Sequence, residues 1–473
     1  MRLSNEIIMI INKPLHRTGS SLLLLPMLFI IACKVTKPYK SPAVDTHYLY
    51  RDHQTIDTTS LATLHWNELF TDTLLQQLIG KGISNSPDLR IAFSRVQQAQ
   101  ASYQQNRRLI YPSVNANAGV TASGYSSTLN NAVKTTASPQ FQGSFSTTWE
   151  ADIWGKLTSS RRASRAAALA ENDNAHAVQT ALVANIASNY YDLLALDEQL
   201  SITERTVISR QATVEVMKEL KKADVVTSAA VVQSEASRYA AEVTIPDIKR
   251  AIRETENQLN LLLGDPPGPV KRSVWSNQPV TAVLQTGVPA QLLANRPDVQ
   301  AAEHTFRQYF ELTNVARTYF YPTLSLTASG GYLTVHDLFS PGSWISSLAT
   351  GLTQPVFNQG LNRARWETAH EQQDQALLGF EKTLLIAGQE VSDAMYAYQM
   401  ATSKVSTRNN ELTDLEKSVT YTQELVKYGF ANYTEVLTAQ QNLLSARLDQ
   451  VADYLQGLQA VVQLYRSLGG GWQ

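Results

Sequence analysis

Asn85-Ser86-Pro87-Asp88-Leu89 and Asn295-Arg296-Pro297-Asp298-Val299 are one motif occurring twice, 210 positions apart. Tyr111-Pro112-Ser113-Val114 returns as Tyr321-Pro322-Thr323-Leu324 at the same offset. Gln258-Leu259 and Leu263-Gly264 return as Gln463-Leu464 and Leu468-Gly469 at an offset of 205. Matches in one order with nearly constant spacing mean two tandem copies of a single structural unit. Each copy is about 200 residues long and follows an N-terminal extension that reaches about residue 80.

Glycine and proline punctuate the unit sharply. Between Lys156 and Leu263 there is no glycine and one proline, Pro246, and no proline follows Pro355. Segments this long without breakers read as long helices. Val178, Leu182, Ile186, Tyr190, Leu193, Leu196 and Leu200 step by three or four, which gives one apolar stripe. In the second copy Leu384, Val391, Tyr398, Val405, Leu412, Val419 and Val426 recur every seven residues. A sustained seven-residue repeat predicts left-handed supercoiling against neighbouring helices. A single helix over 157–222 would be roughly 100 Å long, too long for a globular domain, so an elongated chain is expected.

A different period precedes each long helix. Val114, Ala116, Ala118, Val120 and Ala122 alternate with Asn115, Asn117, Gly119, Thr121 and Ser123. Phe141, Phe145, Trp149 and Ile153 then occupy one parity, and Gln142, Ser144, Ser146, Thr148, Glu150 and Asp152 the other. Copy two repeats this with Leu324, Leu326, Ala328 and Tyr332, then Trp344, Leu348, Leu352 and Val356. Period-two alternation marks strands with one apolar face. Two settings suit such strands: a transmembrane β-barrel with a wet interior, or a plain antiparallel sheet on a helical core. Four strands cannot close a barrel, and an open edge is not tolerated in lipid. If the strands span a membrane, subunits must share one barrel; the count alone does not choose three subunits over two.

Composition narrows the function. The net charge of -1 gives no general attraction to nucleic acid. A mean hydropathy of -0.21 is too polar for a bundle of membrane helices. One cysteine excludes a disulfide framework and a cysteine-based zinc site. That residue, Cys33, follows a basic segment (Arg2, Lys13, His16, Arg17) and the apolar run Leu22–Ala32, the layout of a secretory signal. Translation from Met9 would leave the same layout. The eight histidines are scattered, with no His-x-x-x-His pair and no Gly-x-Ser-x-Gly elbow. No enzymatic chemistry and no cofactor are expected.

With Cys33 as the first mature residue, Ile30-Ile31-Ala32-Cys33 resembles a bacterial lipobox. The lipobox, the duplicated strand pairs and the long helices resemble the TolC-type outer-membrane efflux proteins, in their lipoprotein (NodT/OprM-like) branch serving resistance–nodulation–division pumps. The resemblance is carried by Leu292 to Glu303, Leu263-Gly264-Asp265-Pro266-Pro267-Gly268, Tyr321 to Leu326, Pro355-Val356-Phe357 and Leu468-Gly469-Gly470-Gly471-Trp472. It implies a mostly α fold with transmembrane β: a homotrimer with a twelve-stranded outer-membrane barrel, continuous with a long periplasmic α-helical barrel. It further implies outer-membrane lipid, a periplasmic adaptor and an inner-membrane pump as partners, with acyl chains on Cys33. The chain would be a passive conduit exporting small molecules. A lipid-anchored periplasmic coiled-coil scaffold and an exit duct for type I protein secretion are the alternatives.

The expected organisation is a signal peptide over 1–32 and an anchored extension with equatorial segment over 33–80. A first repeat over 81–270 holds a strand pair near 112–155 and a helix hairpin near 157–263. A second repeat over 271–473 holds a strand pair near 322–357 and a hairpin near 361–468. By the same resemblance, the turns after the long helices are the periplasmic tip, contacting the adaptor or gating the pore. The candidates there are Asp224 and Val225 in copy one, and Tyr428, Gly429, Phe430 and Glu435 in copy two. Thr434 and Thr438 stand where some relatives carry leucine and aspartate. Arg296, whose counterpart in copy one is Ser86, is expected in an inter-segment salt bridge.

Overall fold

The computed structural model describes residues 35–44, 49–51, 60–129, 132–275, 291–334 and 341–472. Cys33 and the segment before it lie outside the described residues. In chain order the elements are α1 (Trp66–Leu69), α2 (Thr73–Asn85), α3 (Pro87–Arg108), β1 (Ser113–Leu129), β2 (Ala132–Ala151), α4 (Lys156–Lys222), α5 (Ser228–Glu242) and α6 (Thr244–Leu263). They continue with α7 (Leu292–Asn295), α8 (Pro297–Thr318), β3 (Thr323–Thr334), β4 (Trp344–Thr353), α9 (Leu361–Lys427) and α10 (Tyr433–Ser467). The duplication is visible in the element lengths: α3 and α8 have 22 residues each, and α4 and α9 have 67 each. The return arms differ. Copy two uses one helix, α10, whereas copy one is interrupted at Val243 between α5 and α6. Pro246 explains the interruption, because it cannot donate to the carbonyl of Glu242.

One compact unit comprises Met1–Ser41, Gln100–Ala167 and Thr305–Ala376. Its centre is an antiparallel sheet in the order β1-β2-β3-β4. The register aligns Ala116, Phe145, Gly330 and Ser346 in one row across the sheet, and Val114, Thr147, Ala328 and Leu348 in the row two further along, on the same face. Opposed residues share a face. One face therefore collects Val114, Val120, Phe141, Phe145, Trp149, Leu326, Tyr332, Trp344, Leu348 and Leu352. The other collects Asn115, Asn117, Gln142, Ser146, Thr148, Glu150, Ser325, Thr327, Ser329 and Ser347, with Leu333 and Ile345 as apolar exceptions. Phe145, Trp344, Leu348 and Leu352 are strongly exposed, so no described residue covers the apolar face there. β1 and β4 form the two edges, each paired on one side only.

Specific contacts fasten the strands to the helices in this unit. Trp149 Nε1 donates to the Ile110 carbonyl at 2.9 Å, and Trp154 Nε1 donates to the Pro322 carbonyl at 2.7 Å while its ring packs on Tyr321. Asp152 lies just past β2 and does not continue the strand face. Its carboxylate accepts from the Leu157 and Thr158 amides at 2.8 Å each, which caps the start of α4. Glu150, on the polar face, pairs with Lys156 at 3.0 Å.

The other unit comprises Pro42–Ala99, Ala168–His304 and Leu377–Gln473. The stripe on α4 is its core: Leu182, Ile186, Tyr190 and Leu193 are buried together with Leu75, Leu259, Leu263, Val462 and Leu464. Of the heptad positions on α9, Leu384, Val391, Leu412 and Val426 are buried and Val405 is exposed. Each repeat closes on itself in the same way. Gly264 ends α6 at φ 73°, with its Cα against the Asn85 carbonyl; Gly469, just past α10, has φ 91° and stands against the Asn295 carbonyl. A side chain at either position would meet that backbone oxygen, and the positive φ already favours glycine.

Candidate functional site

The two turns that follow the long helices come together in one place. Met217 on α4, Val426 on α9 and Val436 on α10 are buried in a small core, with Leu220, Val226, Val231, Ala431 and Tyr433 packed against it. This cluster fixes the turns while leaving their outermost side chains free. Val225, Tyr428 and Phe430 are exposed, Phe430 to 81%.

The turns are built alike from different residues. After α9, Phe430 N donates to Leu425 O at 2.9 Å and Gly429 N to Val426 O at 3.1 Å, with Gly429 left-handed at φ 75°. After α4, Val225 N donates to Leu220 O at 2.9 Å and Asp224 N to Lys221 O at 3.1 Å, with Asp224 at φ 49°. Both are helix ends closed by a left-handed residue. Asp224 thus occupies the glycine position of copy one, as aspartate is among the few side chains that tolerate it. Asp224→Gly is expected to stabilise the turn, by less than about 1 kcal/mol because glycine also loses more chain entropy. Gly429→Asp should cost a similar amount, and comparing the two midpoints in thermal unfolding checks the pair.

The next helix starts differ. Asn432 caps α10 through the Thr434 amide at 3.2 Å, and the Glu435 carboxylate returns to the Asn432 amide at 3.4 Å, forming a capping box. Thr227 makes no side-chain cap at the start of α5. Glu435 is therefore engaged with backbone in this structure.

Above the tip core lies a polar layer that sequence reasoning missed. Arg210 on α4 is 2% exposed. Its guanidinium donates to the Ser237 carbonyl at 2.6 Å and to Gln441 Oε1 at 2.9 Å, joining α4 to α5 and α10. Gln440 Nε2 donates to Thr213 Oγ1 at 3.0 Å alongside. No carboxylate pairs with Arg210 among the described residues, and burial lowers its pKa. An uncompensated buried charge costs stability, and a single polar layer between helices sets their register. Arg210→Met is expected to raise the unfolding midpoint, corresponding to about 1 kcal/mol or more. Thermal melts of the purified protein would show the direction.

Further up, Arg408 on α9 joins Asp453 at 3.0 Å and Asp449 at 3.5 Å on α10, and Lys404 joins Asp453 at 3.1 Å. Asp453 is held below the usual carboxylate range: partial burial opposes this, and the two cations outweigh it. Near the start of repeat two, Arg296 is 6% exposed and reaches three elements. It pairs with Asp298 at 2.6 Å and with Glu390 on α9 at 2.7 Å, and donates to the Ser467 carbonyl at the end of α10 at 2.9 Å. Trp472 Nε1 adds a bond to the Asn295 carbonyl at 3.2 Å. In copy one Tyr190 OH donates to Asp72 at 2.7 Å and is pushed up to about 12 chiefly by burial. Asp72 also caps the start of α2, and nothing in the sequence linked it to Tyr190 across 118 positions.

Among the described residues no helix is long and apolar enough to cross a membrane, and no cluster of histidine, cysteine or carboxylate side chains is suited to a metal ion. Known proteins share this architecture. The chain is 28% identical over 456 residues to the cation efflux system protein CusC of Escherichia coli O6:H1, covering 94% of this chain and 97% of the relative. It is 28% identical over 464 residues to the toluene efflux pump outer membrane protein TtgI of Pseudomonas putida, covering 96% and 98%. The solved outer-membrane channel OprN superposes with a TM-score of 0.84 at 23% identity, over 93% of this chain and all of that one. The family model described as outer membrane efflux protein matches residues 78–265 and 288–470. With both repeats matched over most of its length, the chain belongs to the outer membrane efflux protein family.

Proposed function

We propose that the protein is the outer-membrane channel of a tripartite efflux system, a passive conduit that carries small molecules to the exterior. The observation that carries this reading is the sheet: four strands with one mainly apolar face that no described residue covers, a polar opposite face, and both edges open. The shortest strand, β4, has 10 residues, enough to cross a bilayer when tilted. In lipid every backbone group must be paired, so β4 of one copy closes on β1 of the next. Three copies give twelve strands, with the polar faces lining a wet interior. The helices continue as the periplasmic α-barrel, and the exposed Val225, Tyr428 and Phe430 are offered to a periplasmic adaptor coupled to an inner-membrane resistance–nodulation–division pump. Asp224, Gly429 and Glu435 hold those turns in shape. Acylation of Cys33 would add an anchor of several chains, firmer than a single chain supplies.

The mass of the detergent-solubilised particle, with detergent subtracted, tests this. Three chains per particle together with conductance in a planar bilayer are expected. A monomer that stays soluble without detergent after Cys33→Ser would overturn the reading in favour of an anchored periplasmic scaffold.

A further inference from the structure

The junction between the first strand pair and its helices carries a group of cations with no acidic partner among the described residues. Arg107 and Arg108 end α3, shortly before β1, and Arg161 and Arg165 lie in the first turns of α4, after β2. Ser160 Oγ donates to Asn106 Oδ1 at 2.9 Å, so the four arginines are gathered about one contact between these helices. Arg107, Arg108 and Arg165 are exposed and Arg161 is half-buried. Cations around them are matched: Lys156 by Glu150 and Arg162 by Glu311. The four have no carboxylate partner among the described residues.

The second repeat is an internal control. At the same offsets, Arg107 corresponds to Arg317, but Arg108, Arg161 and Arg165 correspond to Thr318, Trp366 and His370. The second junction has its own arginines, but they are engaged within the chain: Arg363 pairs with Glu367 at 2.8 Å, Arg365 stacks over the Tyr319 ring and Arg317 donates to Asn314 Oδ1. The group also borders the apolar face. Leu109, Ile110 and Tyr111, between Arg108 and β1, are exposed, and Ile110 receives the hydrogen bond from Trp149 on that face. Apolar belt, amphipathic aromatics and then cations is the order in which a bilayer presents hydrocarbon, interface and phosphate.

We infer that Arg107, Arg108, Arg161 and Arg165 bind the phosphates of anionic phospholipid headgroups in the leaflet bordering this junction. The inference rests on the outer-membrane reading above. Arginine suits the role because its planar fork meets phosphate oxygens two at a time. Each cation contributes about fivefold to binding at an anionic surface.

The test uses the full-length protein in detergent, with short-chain phosphatidylglycerol and phosphatidylcholine as probes and tryptophan fluorescence as readout. Phosphatidylglycerol should bind at least about tenfold more tightly than phosphatidylcholine, with the preference shrinking between about 50 mM and about 500 mM salt. Two separate double variants, Arg107→Gln with Arg108→Gln and Arg161→Gln with Arg165→Gln, should each lose most of that preference while keeping particle mass and conductance in a phosphatidylcholine bilayer. Absence of the preference in the wild type, or its survival in both variants, overturns the inference and leaves the channel reading intact. A variant particle that falls apart overturns it too, by assigning these arginines to subunit contacts. A wild-type protein that conducts in neither lipid defeats the outer-membrane reading itself.

Discussion

Replacing Phe145 and Leu348 together with arginine, in a Cys33→Ser background that carries no acyl anchor, is expected to keep the protein out of the membrane fraction and to abolish its channel activity. Both side chains stand on the uncovered apolar face, one on β2 and one on β4. An arginine on the lipid face of a barrel costs about 2–4 kcal/mol near the bilayer centre and less toward its edges. Two substitutions repeated in three copies place six charges in the hydrocarbon, a penalty that assembly has no means of offsetting. The matched control moves the same charges to the other face: Gln142→Arg with Ala349→Arg. These should insert and assemble normally, and shift only conductance and ion preference. Fractionation, particle mass and single-channel recording read all three outcomes. Equal insertion of both pairs would show that the faces are not distinguished by lipid.

The second large effect is expected at Arg296. Arg296→Ala removes a 94%-buried cation (6% exposed) from between Asp298, Glu390 and the Ser467 carbonyl. Breaking a buried pair by deleting one partner costs about 3–5 kcal/mol, because the remaining charge is stranded. Here both carboxylates are 38% exposed and recover part of their hydration, so about 2–3 kcal/mol is expected. The Ser467 carbonyl is left without its donor, and the start of α8 loses its tie to α9 and to the end of α10. Arg296→Lys should restore little, since an ammonium cannot hold Asp298 through two parallel bonds while reaching the other two acceptors. Thermal unfolding of the two variants beside wild type decides the matter. The sign contrasts with Arg210→Met: a buried arginine surrounded by carboxylates stabilises, and one surrounded by neutral acceptors does not.

Much of the architecture was legible in the sequence because duplication and periodicity are long-range signals. The repeated Asn-x-Pro-Asp and Tyr-Pro motifs marked the starts of α3, α8, β1 and β3, and the glycine-free stretch outlined α4. Strand parity identified the apolar face within the strands, since alternation survives any pairing in which opposed residues share a side, but Ile153 and Val356, read as further strand positions, lie beyond the ends of β2 and β4. Local chemistry was harder to read. Asp152 looked like another polar strand position, but the chain leaves the sheet one residue earlier and its carboxylate turns to cap α4. Asp224 carried no sign of its left-handed backbone, which became visible only beside Gly429. Glu435 resembled a pore carboxylate in type, yet three-residue spacing from Asn432 already matched a capping box. Arg210 and the Asp72–Tyr190 bond depend on which helices meet, and no pattern within one helix reports that. The strands also differ between copies, 17 and 20 residues against 12 and 10, which a constant repeat offset did not foreshadow.

The equal lengths of α4 and α9 limit how such a chain can change in evolution. Removing one residue from the middle of α9 turns everything beyond it by about 100°. Leu412 and Val426 would then leave the seam, and the bonds of Arg408 to α10 would fall out of step. Deletions of seven nearly preserve the facing, but only when an equal stretch is taken from α10 at the same level. The first hairpin must shorten equally if Met217 is still to meet Val426 and Val436. Viable length variants of this protein therefore arise as coordinated insertions or deletions in both repeats, whereas point substitutions along the same helices are free to accumulate singly.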